Sequence, residues 1–447
     1  MEKTVKKNKL CKSLPFRQIS PAKFPFFYGW IIVFISTLGM LASIPGQTMG
    51  VGVFTDFLIN SMAVNRVQIS TAYMIGTIGS SFILPFAGKW LDRMGIRAMT
   101  LIVSIGLGSS LVLLSRAPLF QKRMFSGSFL FTMIILSILF LFIRFFGQGC
   151  LAMISRVAIG KWFNHHRGLA SAISGVFVSL GFNSSPVFLN NLVQSYGWQT
   201  TLVILATGIG VGMGVLGWIF YRDNPEACGL KMDGNLGEEK VARFEARIPP
   251  TKKEFTKSQA IRTLGFWSFS LGMAVVALVM TAVTFHISSI GAEQGLTRDQ
   301  SYLVFFWIFP FSIISNFFCN WISDRIQHKW LLMVTMIAQI AALLGLLIFE
   351  QVSGRILFSI GQGIAGGMFV ALATVVFPRF FGRDHLGEIS GFYMSILVFA
   401  SAIGPVLFSA FRTFSGSYKM IFLFSILMPL GILLTCFKAN NPQLDID

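Results

Sequence analysis

The sequence predicts an all-α polytopic membrane protein, with twelve transmembrane helices arranged as two pseudo-symmetric six-helix bundles. Three observations carry that expectation. Apolar residues make up 54% of the 447 and charged residues only 12%, about half the charged share of a soluble domain. The apolar residues gather into runs long enough to cross a bilayer. Short motifs then recur, in the same order, in the second half of the chain. This composition excludes disorder and argues against a soluble enzyme, and 47 phenylalanines suit a surface that faces lipid.

Taken in order, the runs are 28–58, 68–88, 97–115, 126–158, 167–191 and 197–221, then 263–290, 300–322, 330–350, 354–378, 386–411 and 417–437. They are longer than the about 9–11 residues of a barrel strand and lack its alternation, so they read as helices. The domain boundaries follow. Residues 1–27 form a basic cytoplasmic segment with no signal-peptide core. Residues 28–221 and 263–437 form the two bundles, 222–262 a cytoplasmic linker, and 438–447 a cytoplasmic tail.

Orientation comes from the basic residues. With the N-terminus inside, 26 of the 36 Lys and Arg fall in inner segments and eight in outer loops, leaving Arg144 and Arg156 within span four. That asymmetry places both termini in the cytoplasm, and the expected location is the plasma (bacterial inner) membrane. The net charge of +18 is spread between apolar runs rather than gathered on a polar domain, so nucleic-acid binding is not expected. The linker mixes nine basic with seven acidic residues and reads as a solvated connector. Cys11, Cys150, Cys228, Cys319 and Cys436 have no metal-ligand spacing. No metal or cofactor is expected.

The halves repeat. Gly147-Gln148-Gly149 returns as Gly361-Gln362-Gly363, Ser174-Gly175 as Ser390-Gly391, and Pro186-Val187 as Pro405-Val406. A duplicated unit meeting at a midplane site is the architecture of secondary transporters.

The most specific motif is Gly88-Lys-Trp-Leu-Asp92-Arg93-Met-Gly95-Ile-Arg97, between spans two and three, with a degenerate copy, Asn320-Trp-Ile-Ser-Asp324-Arg325, between spans eight and nine. It resembles the signature loop of the major facilitator superfamily, and the span count, linker and half-repeat extend the resemblance over the whole chain. The resemblance implies the major facilitator fold and a gating role for Gly88, Asp92, Arg93, Gly95, Arg97, Asp324 and Arg325. The glycines permit a tight reversal, and Asp92 can sit at the positive end of a neighbouring helix.

Arg144 falls near the middle of span four. A guanidinium there stays charged and costs about 3 kcal/mol or more to insert, so it needs a partner or a watery cavity. No carboxylate lies plainly at its depth; the structural alternatives are that Arg144 bonds helix carbonyls or pairs with Asp56, near the outer end of span one. Arg144 is therefore a candidate for holding a substrate anion, with Gln148 on the same helical face. The other mid-span polar residues are Gln47, Tyr73, Asn183, His286, Asn316, Gln362 and Tyr393. Spans one, four, seven and ten line the cavity in the family, which favours Gln47, Gln148, His286 and Gln362. His286 has an ordinary pKa suited to carrying a proton, or is a satisfied core histidine.

Lys161-Trp-Phe-Asn-His165-His166-Arg167-Gly168, Phe27-Tyr28-Gly29-Trp30 and Gly52-Val53-Phe54 resemble the monocarboxylate and oxalate–formate branch. That branch often carries a basic residue in span eight or eleven, and residues 300–322 and 386–411 have none. No phosphate-binding loop or nucleophile elbow is present, so no enzyme is expected and energy must come from a gradient. The expected function is secondary active transport of a small, monocarboxylate-like organic anion by alternating access. The coupling partner is a proton or an exchanged anion, and the working form is a monomer in the lipid bilayer. The alternatives are an exporter of amphipathic compounds and a receptor-like membrane protein that does not transport.

Overall fold

The computed structural model describes residues 21–124, 128–234 and 251–445. Among the described residues nine helices are long and apolar enough to cross a membrane, and a tenth, Arg167–Phe182 with Ser184–Tyr196, is bent by 42°. One of the nine, Val67–Gln121, has 55 residues. At 1.5 Å per residue that is far longer than a bilayer core of about 30 Å. It turns at Gly95, whose φ of 84° leaves the helical region, and so holds spans two and three. Gly29–Ala42 and Thr48–Met62 join through a short 3-10 turn, Ile44–Gly46, into span one. Twelve crossings result, as the apolar runs require.

Span four is Phe129–Ile143 and Ala152–Trp162, joined by the π-helical Arg144–Leu151. Span five is Arg167–Tyr196, and span six runs from Trp198 to Phe220. Spans seven to twelve are Leu264–Glu293, Arg298–Ser323, His328–Leu347, Val352–Phe381, Leu386–Ser415 and Lys419–Cys436. Large apolar side chains point outward, Phe82 at 65% and Phe306 at 68% exposure, where lipid and not water would meet them.

The repeat extends to capping. Asn65 and Gln68 exchange side-chain and backbone hydrogen bonds at the start of span two, at 2.9 and 2.8 Å. Thr297 and Gln300 do the same at the start of span eight, at 3.0 and 3.3 Å. The offset from 65 to 297 equals that from 92 to 324, so spans two and eight correspond from cap to signature loop. Such reciprocal caps satisfy otherwise orphaned amides.

The connector differs from its expected character. Several of its acids cap backbone amides along the connector face. Asp233 accepts from the N–H groups of Asn164, His165 and His166, at 2.9, 2.8 and 3.0 Å. Asp223 accepts from Ile96 at 2.6 Å, and Glu254 from Asp384 at 2.9 Å. These charges are not merely solvated. They tie the connector to both halves.

Candidate functional site

The two halves touch closely at the connector face. A side chain on Gly88 of span two would strike the carbonyl of Gly387 and come within 3.0 Å of the Gly391 Cα in span eleven. With hydrogens there, the backbones pack directly. Asp92, in the turn after span two, accepts the N–H of Gly387 at 2.9 Å and of Glu388 at 2.7 Å, and faces Lys161 Nζ at 3.4 Å. Burial pushes its carboxyl above the ordinary range, while Lys161 and the two amides pull it back. The contact gains from a helix N-terminus and loses solvation.

The second half repeats the pairing. Asp324 forms an ion pair with Arg379 at the end of span ten, as Asp92 does with Lys161 at the end of span four. The Asp324 carboxylate lies against Gly168 at the start of span five, leaving no room for a side chain there. Arg97 stacks on Trp218 at 4.4 Å and Arg325 on Trp321 at 3.9 Å, while Arg93 is exposed. Gly95 makes the turn, and Asp223 fills the place a Cβ would need.

Above this closure lies a cavity of about 270 Å³ between the halves, lined among others by Gln47, Gln148, Arg156, Gln362 and Met394. A second cavity of about 570 Å³ continues from it away from the connector, sharing Thr48, Met49, Met280, Thr284 and Ile308 and adding Asp56, Tyr73 and Tyr302. The two cavities share these walls, and the contacts of Gly88 and Asp92 lie on their connector side.

Of the residues singled out from sequence, the structure gathers Gln47, Gln148 and Gln362 on the central cavity and Tyr73 on the upper one. Gln47 donates to Ser43 at 3.1 Å. Gln362 accepts from Gln339 at 3.3 Å, and its Nε2 is buried without a partner, as is Gln148 Oε1. Arg144 is 1% exposed and is not among the residues lining either cavity. It donates to the Gly46 carbonyl at 3.0 Å and lies 5.0 Å from the Tyr73 ring. That bond exists because Gly46 and Gly147 let spans one and four meet backbone to backbone.

His286 lies on a side cavity between spans two and eleven. Its Nε2 is 2.9 Å from the Pro405 carbonyl and its Nδ1 3.1 Å from the Tyr418 hydroxyl. Asn316 donates to Gly367 at 3.1 Å and Tyr393 to Ala373 at 3.3 Å, both buried away from the cavity. The Asn183 side chain lies outside the described residues.

The residue missed from sequence is Arg156. It is the charged side chain on the central cavity, with Nη1 3.3 Å from Met394 Sδ and Nε buried without a partner. Its signal was present, as a second arginine within the fourth apolar run.

The arrangement has known counterparts. No curated protein sequence matches the chain. Its fold is similar to the proton:xylose symporter XylE at 12% identity, covering 93% of this chain and 98% of that one with a TM-score of 0.68. It is also similar to the human organic anion transporter MFSD10, at 14% identity, 91% and 98% coverage and TM-score 0.59. The E. coli fucose:proton symporter FucP follows at 16%, 92% and 99%, and 0.62. The sequence model of the Major Facilitator Superfamily matches residues 29–361 and 269–445, and the chain belongs to that superfamily.

Proposed function

We propose that this transporter moves a small organic anion by alternating access, driven by a gradient. One observation carries the anion: among the described residues lining the central cavity there is a cation, Arg156, and no carboxylate. A guanidinium in a low-dielectric cavity attracts an anionic group strongly. The latch at Asp92 and the continuous route above the cavity correspond to a carrier open on one side.

The 26-to-8 bias of basic residues makes the connector face, with both termini, cytoplasmic. The cavity then opens to the outside of a plasma membrane. The fold relatives are named for sugar and organic-anion transport, and the cavity's charge favours the second. A screen in proteoliposomes tests this reading, with small carboxylates and neutral analogues offered under an imposed pH gradient. Carboxylates should be taken up in preference to their neutral analogues. Equal uptake of both would remove the anion.

A further inference from the structure

We infer that the connector face carries an acid-sensitive switch at His328. A proton taken up there from the cytoplasmic side breaks the chain His328–Arg379–Asp324 and favours opening of the face. The switch does not depend on which solute the carrier moves.

His328 is the first residue of span nine and is 4% exposed. Its Nε2 lies 3.1 Å from Arg379 Nη1. A guanidinium is always protonated and offers no acceptor, so the ring nitrogen must accept. The imidazole is therefore neutral, with its proton on Nδ1. Arg379 Nη1 also donates to the Ser323 carbonyl at 2.7 Å, and Nη2 pairs with Asp324. One guanidinium thus joins the histidine to the carboxylate. A second proton on the ring would set donor against donor and cation against cation. The chain cannot keep its form with His328 charged.

The charges around the ring link its proton to the position of the halves. Span ten contributes Arg379, and the end of span eight contributes Asp324. Span five contributes Arg167, whose charge acts on both His328 and Asp324, and His166 acts on Asp324 beside it. Lys329, next in the chain, donates to Asn440 at 2.7 Å, and Phe380 packs edge-on at 5.8 Å without charge. Arg167 belongs to the first half, whereas His328, Arg379 and Asp324 belong to the second. The halves meet here at Gly168, against which the Asp324 carboxylate packs. Parting them takes Arg167 away from the ring and admits water. The closed face excludes the proton and the open face accepts it, so acid favours the open state. In the first half Ile96 stands at the place of His328, by the offset that relates Asp92 to Asp324. The switch is therefore built into one half only.

The test measures spin-label distances between Ala227→Cys and Lys438→Cys, exposed beyond spans six and twelve, in full-length protein lacking the native cysteines. The protein sits in lipid nanodiscs without solute, at about pH 7.5 and about pH 5.5. The ratio of open to closed distances should rise about tenfold at the lower pH, because a histidine released to its ordinary pKa near 6.5 takes a proton that the closed face refuses. His328→Gln still offers Arg379 a neutral acceptor and should change less than about twofold. His328→Lys places a permanent cation there and should be open at both pH values. Asp92→Asn should raise the open fraction at both pH values and keep the shift, which separates failure of that latch from failure of the switch. A ratio that does not move with pH, or a full shift that survives in His328→Gln, overturns the inference. So does His328→Lys that folds and stays closed at about pH 7.5.

Discussion

Asp92 accepts the backbone N–H of Glu388 at 2.7 Å, reaching from the turn after span two to the first turn of span eleven. This bond, with the neighbouring one from Gly387, joins the two halves at a helix N-terminus, where a carboxylate is worth about 0.3–2 kcal/mol. We propose that this contact is the latch of the connector face, weak enough to break in every transport cycle.

Asp92→Asn should loosen it. The amide offers one acceptor to two facing N–H donors, so one donor meets an NH₂ group and Lys161 loses its partner. The latch equilibrium should shift by about two- to thirty-fold, with the fold intact and turnover reduced. A cysteine replacing the buried Ser171 beneath the cavity reports this directly. A thiol reagent applied from the connector face should modify it several-fold faster in the Asp92→Asn background. An unchanged rate would remove Asp92 from the gate.

Gly88→Val tests the same closure through sterics. Gly387 and Gly391 leave no space for a side chain, so spans two and eleven must part at the connector face. Transport should fall to background with the protein still folded. Gly431→Ala, where the added methyl meets nothing within 4 Å, should transport normally and melt slightly higher, since alanine favours a helix by about 1 kcal/mol.

The contacts of Gly88 and Asp92 were legible in sequence because their residues form a local motif. Gly88, Asp92 and Gly95 sit at fixed spacing in one loop, and the copy at Asp324 repeats it. The cavity was only partly legible. Spacing along span four put Arg144 at mid-span, but the close Gly46–Gly147 contact brings the Gly46 carbonyl of span one within its reach. Arg156 lay in the same run, and its neighbour on the cavity is Met394 of span eleven, a contact 238 residues away that no local pattern encodes. The connector acids had no periodicity to read, and their partners are backbone amides, which every residue but proline supplies.

Arg144 should therefore behave as a tie between spans. Arg144→Gln should keep anion affinity within about twofold while lowering thermal stability, because the buried Gly46 carbonyl loses its charged donor, a contact of about 1.5–3 kcal/mol. Tracer binding and melting temperature measured on one preparation separate the outcomes. Lost affinity with unchanged stability would make Arg144 a substrate contact.

Topology is checked with single cysteines in a background lacking the native ones. Gln351→Cys, exposed between spans nine and ten, should react with an impermeant reagent added to intact cells. Ala227→Cys, exposed on the connector, should react only after the membrane is opened. The reverse pattern would invert the orientation.

Counterflow tests the central claim most directly, since it requires a carrier that binds an anion and turns its site to both faces. Vesicles holding the purified protein are loaded with an unlabelled small organic acid and diluted into a trace of the same labelled acid. The label should accumulate transiently above equilibrium, the neutral alcohol analogue should show no overshoot, and Arg156→Gln should abolish the effect. The same overshoot for acid and alcohol, or a full overshoot in Arg156→Gln, would contradict an anion carrier built around that cavity.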